Sequence, residues 1–215
     1  PLKPDPTKAR PFLEASHPAP AKALVEAWRE SKEWNDLWHV PGLVFEGKAW
    51  RNDPFSARRA ILNLLAEVPP GEWWPLEAFV VAVKERQPDF QRPAGDYDSW
   101  YIRDAATQAY RRGFENWERV DGALVQWMIE KPMFWLGVVD VSTAESAENG
   151  KTSGQHSAPF ALSAVQSFRL TPYGAAFFGH AAWPEAEPPR VPKLSADGAL
   201  RVPAAASRYD RFQIA

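Results

Sequence analysis

Two pairs of adjacent arginines, Arg58-Arg59 and Arg111-Arg112, are the densest basic positions with few acids beside them. Guanidiniums on polar helix surfaces either reach phosphate oxygens or stay solvated. Arg51, Arg119 and Lys151 are further cations that could join a nucleic-acid contact, although Glu145 and Glu148 flank Lys151. Gly150-Lys151-Thr152 has the ending of a phosphate-binding loop, but Glu145 stands where its first glycine is required, and a polar stretch is not a strand-to-helix turn. His17, His39, His156 and His180 are scattered without ligand spacing, and the chain has no cysteine, so neither a metal nor another cofactor is expected. Asp96 and Asp98 are carboxylates two apart, in a setting where aspartates ordinarily hold turns. No serine, histidine and aspartate can be grouped as a triad. The expectation is a binding module that is not an enzyme.

The bulk composition narrows the partners. A chain of 215 residues can bury a sizeable core in one or two domains. It holds no apolar run of membrane-spanning length, and its polar, proline-rich start has no signal-peptide core. Opening on Pro1, it reads as a piece of a longer protein. The absence of cysteine suits a cytoplasmic location. Lysine and arginine number 25 against 27 acids, a net charge of -2, so any nucleic-acid footprint must be local. Eleven tryptophans are expected to fill core and inter-helix seams rather than to stack on bases.

Several elements must position these residues. Pro1 to Pro20 reads as an extended lead-in, followed by a helix over 21–30 and an apolar stripe, Trp34, Leu37 and Trp38, up to Pro41-Gly42. Leu43 to Trp50 is a short strand or loop. Asp53 can cap a helix with Pro54 in first position and Ile61, Leu64, Leu65 and Val68 on its apolar face, which leaves Arg58 and Arg59 on the polar side. A second helix starts at Pro75 with Leu76, Phe79, Val80 and Val83 inward. Trp100 to Arg112 reads as a helix with Ala105, Ala106 and Ala109 on its small face. Asn116 to Lys131 is a further helix, ended by Pro132 and followed by the strand Phe134 to Val141. A polar insertion over about 142–157 precedes a second strand ending at Leu170, then a helix capped by Thr171. Beyond the Pro184 to Pro192 linker, Asp197-Gly198 between two short runs signals a hairpin, and Tyr209 to Ile214 a helix.

Three helices followed by a strand, a flexible loop and a return strand outline a winged helix, with the insertion as the wing and the helix over 116–131 in the recognition position. The predicted fold class is α+β: a lead-in over 1–54, a winged helix over 55–183, and a linker with a β-hairpin over 184–215. Val120-Asp121-Gly122-Ala123-Leu124, Pro132-Met133-Phe134-Trp135-Leu136-Gly137-Val138-Val139-Asp140 and Phe168-Arg169-Leu170-Thr171-Pro172-Tyr173-Gly174 resemble the winged-helix segment of large bacterial proteins grouped with the N-terminal domain of XPB-type helicases. Leu194, Asp197-Gly198, Val202-Pro203, Ser207 and Arg211-Phe212 resemble the opening of that helicase-associated domain, as if a further domain began here. The resemblance implies a DNA-associated role.

Two partners remain open on the residues themselves. Duplex DNA would use Arg58, Arg59, Arg111, Arg112, Arg119 and Lys151. The recognition helix, however, is expected to expose Glu118, Arg119, Asp121, Gln126 and Glu130, a net acidic face that phosphates repel. Docking to protein domains, in the same or a larger chain, is the alternative.

Overall fold

A computed structural model of the chain describes residues 5–15, 18–46, 52–143, 164–185, 190–203, 206 and 208–214. The fold class is α+β, as expected, with small antiparallel sheets among helices. Helix α1, Pro6–Glu14, replaces much of the expected extended lead-in, while helix α2, Ala19–Glu30, forms where a helix over 21–30 is expected. Both begin with proline in the first turn, where no N–H is needed, and Asp5 caps α1 by accepting the N–H of Thr7 at 2.9 Å. Counting prolines as breakers missed that they also begin helices.

Helix α3, Pro54–Leu65, is capped by Asp53, whose Oδ1 accepts the N–H groups of Phe55 and Ser56. Its Ile61, Leu62, Leu64 and Leu65 are buried. After the short strand β2, Trp74–Pro75, helix α4, Leu76–Arg86, buries Leu76, Phe79, Val80 and Val83 as its spacing predicts. Strand β4, Val139–Thr143, and strand β5, Val165–Leu170, pair antiparallel, and β2 joins the far side of β5 to give the order β2-β5-β4. Val141 and Trp74 both register on Phe168, whose ring meets Phe79 edge-on at 5.5 Å and so locks the sheet onto α4. A bulge lies between Ser142 and Thr143.

The longest helical run, 117–135, joins helix α5, Ala123–Met128, to π-helical turns at Glu118–Gly122 and Ile129–Met133. Pro132 does not end it, contrary to expectation. The wider π-turn accommodates a residue that lacks an N–H, and the run closes only at Gly137, which adopts a φ of 72°. Phe134 and Trp135 are therefore helical, and the strand begins at Val139. The run is buried on nearly every side by Trp117, Val120, Asp121, Leu124, Val125, Met128, Ile129 and Met133, which makes it the axis of the core.

The expected helix over 100–112 is absent. Residues Ile102–Asp104 form strand β3, paired with β1, Leu43–Phe45. Asp104 turns its carboxylate back onto the N–H groups of Ala106 and Thr107, at 3.0 and 2.8 Å, and that local turn displaces the helix. The chain then returns so that Tyr110 bridges Arg103. The alanine spacing that suggested a helix lies on this turn.

Thr171 caps helix α6, Pro172–Phe177, as predicted. Gly174 approaches the backbone before β4 so closely that a Cβ there would lie 2.0 Å from the carbonyl oxygen of Val138. The hairpin of β6, Lys193–Leu194, and β7, Leu200–Arg201, turns at Asp197-Gly198, and α7, Arg208–Ile214, packs against α1. The insertion over about 142–157 lies largely outside the described residues. Val25, Trp28, Leu37 and Val40 share one apolar core with α3, α4, α5, β4 and β5. Among the described residues no helix is long and apolar enough to cross a membrane.

Ile61 is wholly buried and Phe79 nearly so, so Ile61→Ala and Phe79→Ala are each expected to cost about 2–5 kcal/mol in urea unfolding. Val81, half exposed on the other side of α4, should change by less than about 0.5 kcal/mol when cut to alanine. Melting shifts of a degree or less in both core variants would show that these faces do not carry the core.

Candidate interaction groove

Among the described residues, the candidate cations Arg58, Arg59, Arg111, Arg112 and Arg119 do not form one face. Arg58 is 0% exposed, so its placement on the polar side of α3 is corrected. Its Nε and Nη2 donate to Asp36 Oδ2 at 2.9 and 2.7 Å, Nη1 donates to the carbonyl of Ser31 at 2.6 Å, and Nη2 to that of Trp34 at 2.7 Å. The guanidinium also lies over the Trp28 ring at 5.3 Å. A buried cation demands a counter-charge and a full set of acceptors, and the end of α2 with its following turn supplies both. The sequence did carry the signal: Arg58 stands three before Ile61, four before Leu62 and seven before Leu65, on the apolar stripe itself.

Arg111 is likewise buried, ion-paired to Asp104, and it sits on no helix. That is a second correction, because the turn that replaces the expected helix brings Arg111 back onto Asp104. Arg59 is exposed on α3 beside the Phe55 ring. Arg112 is exposed with its guanidinium over Tyr101 and Tyr110, at 4.7 and 4.9 Å. Arg119 is exposed on the helical run. Arg51 and Lys151 lie outside the described residues.

Asp121, expected on the exposed face, is 0% exposed. It accepts from Gln91 Nε2 at 2.7 Å and from Arg92 Nε and Nη2 at 3.1 and 3.0 Å. Burial pushes its carboxyl upward while Arg92 and Gln91 pull the other way. Gln91 in turn accepts from Asn52, and Asn52 from Asn35, so a buried polar chain ties the helical run at Asp121 to the residues just before the turn Asp36–His39 and just before α3. Asp96 accepts the N–H groups of Asp98 and Ser99, a turn role as read from sequence. Among the described residues no three metal-ligating side chains gather.

What the helical run leaves open is one stripe: Glu118, Arg119, Gln126, Glu130, Lys131, Phe134 and Trp135. That stripe forms the floor of a groove of about 1080 Å³. One wall is the β1–β3 ribbon with Val40 to Leu43 and Asp104 to Thr107, and the other is the sheet face of Val141, Thr143 and Val165. Aromatic rings run out of it in a series. Trp135 meets Trp127 edge-on at 6.3 Å, Trp127 stacks with His39 at 5.8 Å, and His39 with Trp34 at 4.2 Å. Of these, Trp135 is 65% exposed, an arrangement unlike the core role expected of the tryptophans. Arg111 and Arg119 both line the groove, the first of them buried on Asp104. The aromatic part was missed because Phe134-Trp135 was assigned to a strand; continuing the helical register from Trp127 through Lys131 would have placed Trp135 on the same stripe.

Asp104 receives the N–H groups of Thr107 and Ala106 together with the Arg111 guanidinium, and these hold its carboxyl well below the usual range. The chain matches no family model, no curated protein and no solved structure.

Arg58→Ala is expected to cost about 3–5 kcal/mol, because it strands Asp36 and several carbonyls in the core, whereas Arg59→Ala should stay within about 0.5 kcal/mol. Equal urea midpoints for the two variants would contradict the buried clamp. For Asp104, a folded pKa below its unfolded value means stability that is complete above about pH 4–5 and is lost as pH falls below that. The gap in urea midpoint between the parent and Asp104→Asn should narrow from pH 7 to pH 3, and a gap that stays constant or widens would contradict the assignment.

Proposed function

We propose that the chain is a winged-helix module that docks a protein segment, and not a duplex-DNA reader of the ordinary kind. The element order α3, β2, α4, the helical run and the β4–β5 pair, with β2 completing the sheet, supports the winged-helix reading. In that reading the run over 117–135 stands in the recognition position. The observation that carries protein docking is the groove: the open stripe of this run is walled by the β1–β3 ribbon and floored with aromatic side chains.

A recognition helix must stand clear of its domain to enter a major groove about 12 Å wide, since a helix with its side chains already measures about 10–12 Å. This run is buried on its other sides, and its flank is occupied. Two of the arginines expected to meet phosphate, Arg58 and Arg111, are spent on internal carboxylates. The exposed Arg59, Arg112 and Arg119 sit on three separate segments of the chain. The resemblance to bacterial proteins grouped with XPB-type helicases fits a module that joins parts of a larger assembly, with no catalysis of its own.

Fluorescence anisotropy against a labelled duplex, at 50 and 200 mM salt, tests the choice. No saturable binding at the lower salt is the expected result. Binding that weakens steeply with salt, and that Arg112→Glu with Arg119→Glu abolishes, would return the module to DNA.

A further inference from the structure

Resting on the docking reading, we infer that the groove takes an acidic amphipathic segment of a partner protein, whose carboxylates are spaced to meet two cations of the groove floor. Three of the six charged residues that line the groove are already neutralised from within. Glu118 is ion-paired to Lys84 and Asp104 to Arg111. Arg119 and Lys131 form no ion pair among the described residues, against one further acid of the lining, Glu130. The uncompensated charge of the floor is therefore positive.

These two cations also have a useful spacing. Twelve positions of helix separate them, roughly 18 Å at the α-helical rise. Five or six residues of extended chain cover that distance. Between the two cations lie Gln126 and the edge of Trp127, and the exposed Trp135 ring, edge-on to Trp127, follows one turn beyond Lys131. The side-chain oxygen of Gln126 is buried without a donor among the described residues. A buried acceptor left without a donor is costly, and a backbone or side-chain N–H of an incoming segment would satisfy it. Aromatic anchoring, one waiting acceptor and two cations about 18 Å apart together describe an occupant with apolar side chains, an N–H to give, and acids at a matching separation.

The test uses the whole chain and three fluorescein-labelled ten-residue peptides. They share one Leu/Phe-rich centre and carry two glutamates, two glutamines or two lysines at each end. The glutamate peptide is expected to bind several-fold more tightly than the glutamine one, and the lysine peptide more weakly than both. Exposed charge pairs support differences of about that size. The preference should vanish in 0.5 M salt, and it should reverse in Arg119→Glu/Lys131→Glu, two exposed or half-exposed sites whose substitution leaves the fold intact by circular dichroism. Trp135→Ala should weaken all three peptides alike. If the three bind equally, with the Trp135 dependence intact, the acidic preference is overturned while the docking reading stands. If the lysine peptide binds best, the charge assignment is wrong. If none binds at millimolar concentration, the groove is not a docking site for peptides and both readings fall.

Discussion

The guanidinium of Arg58 sits where water cannot reach it, and the fold is arranged to replace that water. Asp36 receives it at two nitrogens, the indole N–H groups of Trp28 and Trp34 donate to the same carboxylate, and the carbonyls ending α2 take the remaining donors. A charged pair is held this deeply only when nearly every hydrogen bond is made. The clamp therefore ties α2 to α3 at one defined geometry. It also fixes the turn Asp36–His39, which leads directly into the β1–β3 ribbon.

The rest of the candidate site follows from that turn. His39 is held between Trp34 and Trp127, so the aromatic series extends from the clamp to the helical run. Val40 to Leu43, just beyond, become one wall of the groove, and β1 brings β3 beside it. A second buried assembly, Asp121 with Arg92 and Gln91, holds the other side of the same helix. The run over 117–135 is thus gripped from two directions by polar networks and filled between them by apolar packing. One stripe is left for a partner.

That arrangement explains why arginine counting misleads in this chain. Arg58 and Arg92 are each matched to a carboxylate from a distant segment, Arg111 to one across its own turn, and all three serve as internal ties. Arg59, Arg112 and Arg119 remain outside but on separate surfaces, two of them laid over aromatic rings. A formal charge near zero was already a warning that no broad basic face exists.

Much of the scaffold was legible in the sequence because it rests on local rules. The cap at Asp53, the apolar stripes of α3 and α4, the paired strands around the polar insertion, the Thr171 cap and the Asp-Gly hairpin all depend on residues within a turn or two of one another. Even the burial of Arg58 was written there, in its spacing from Ile61 and Leu65. What the tertiary structure alone decided were outcomes set by partners far away in the chain. Residues 102–104 became a strand because β1 was there to pair with and Asp104 turned the chain locally. The helical run continued through Pro132 because the core closed around it on nearly all sides. Asp121 went inside because Arg92 and Gln91 met it there. The groove exists only where three such long-range choices coincide, and no spacing along the chain encodes the distance between segments that meet across it.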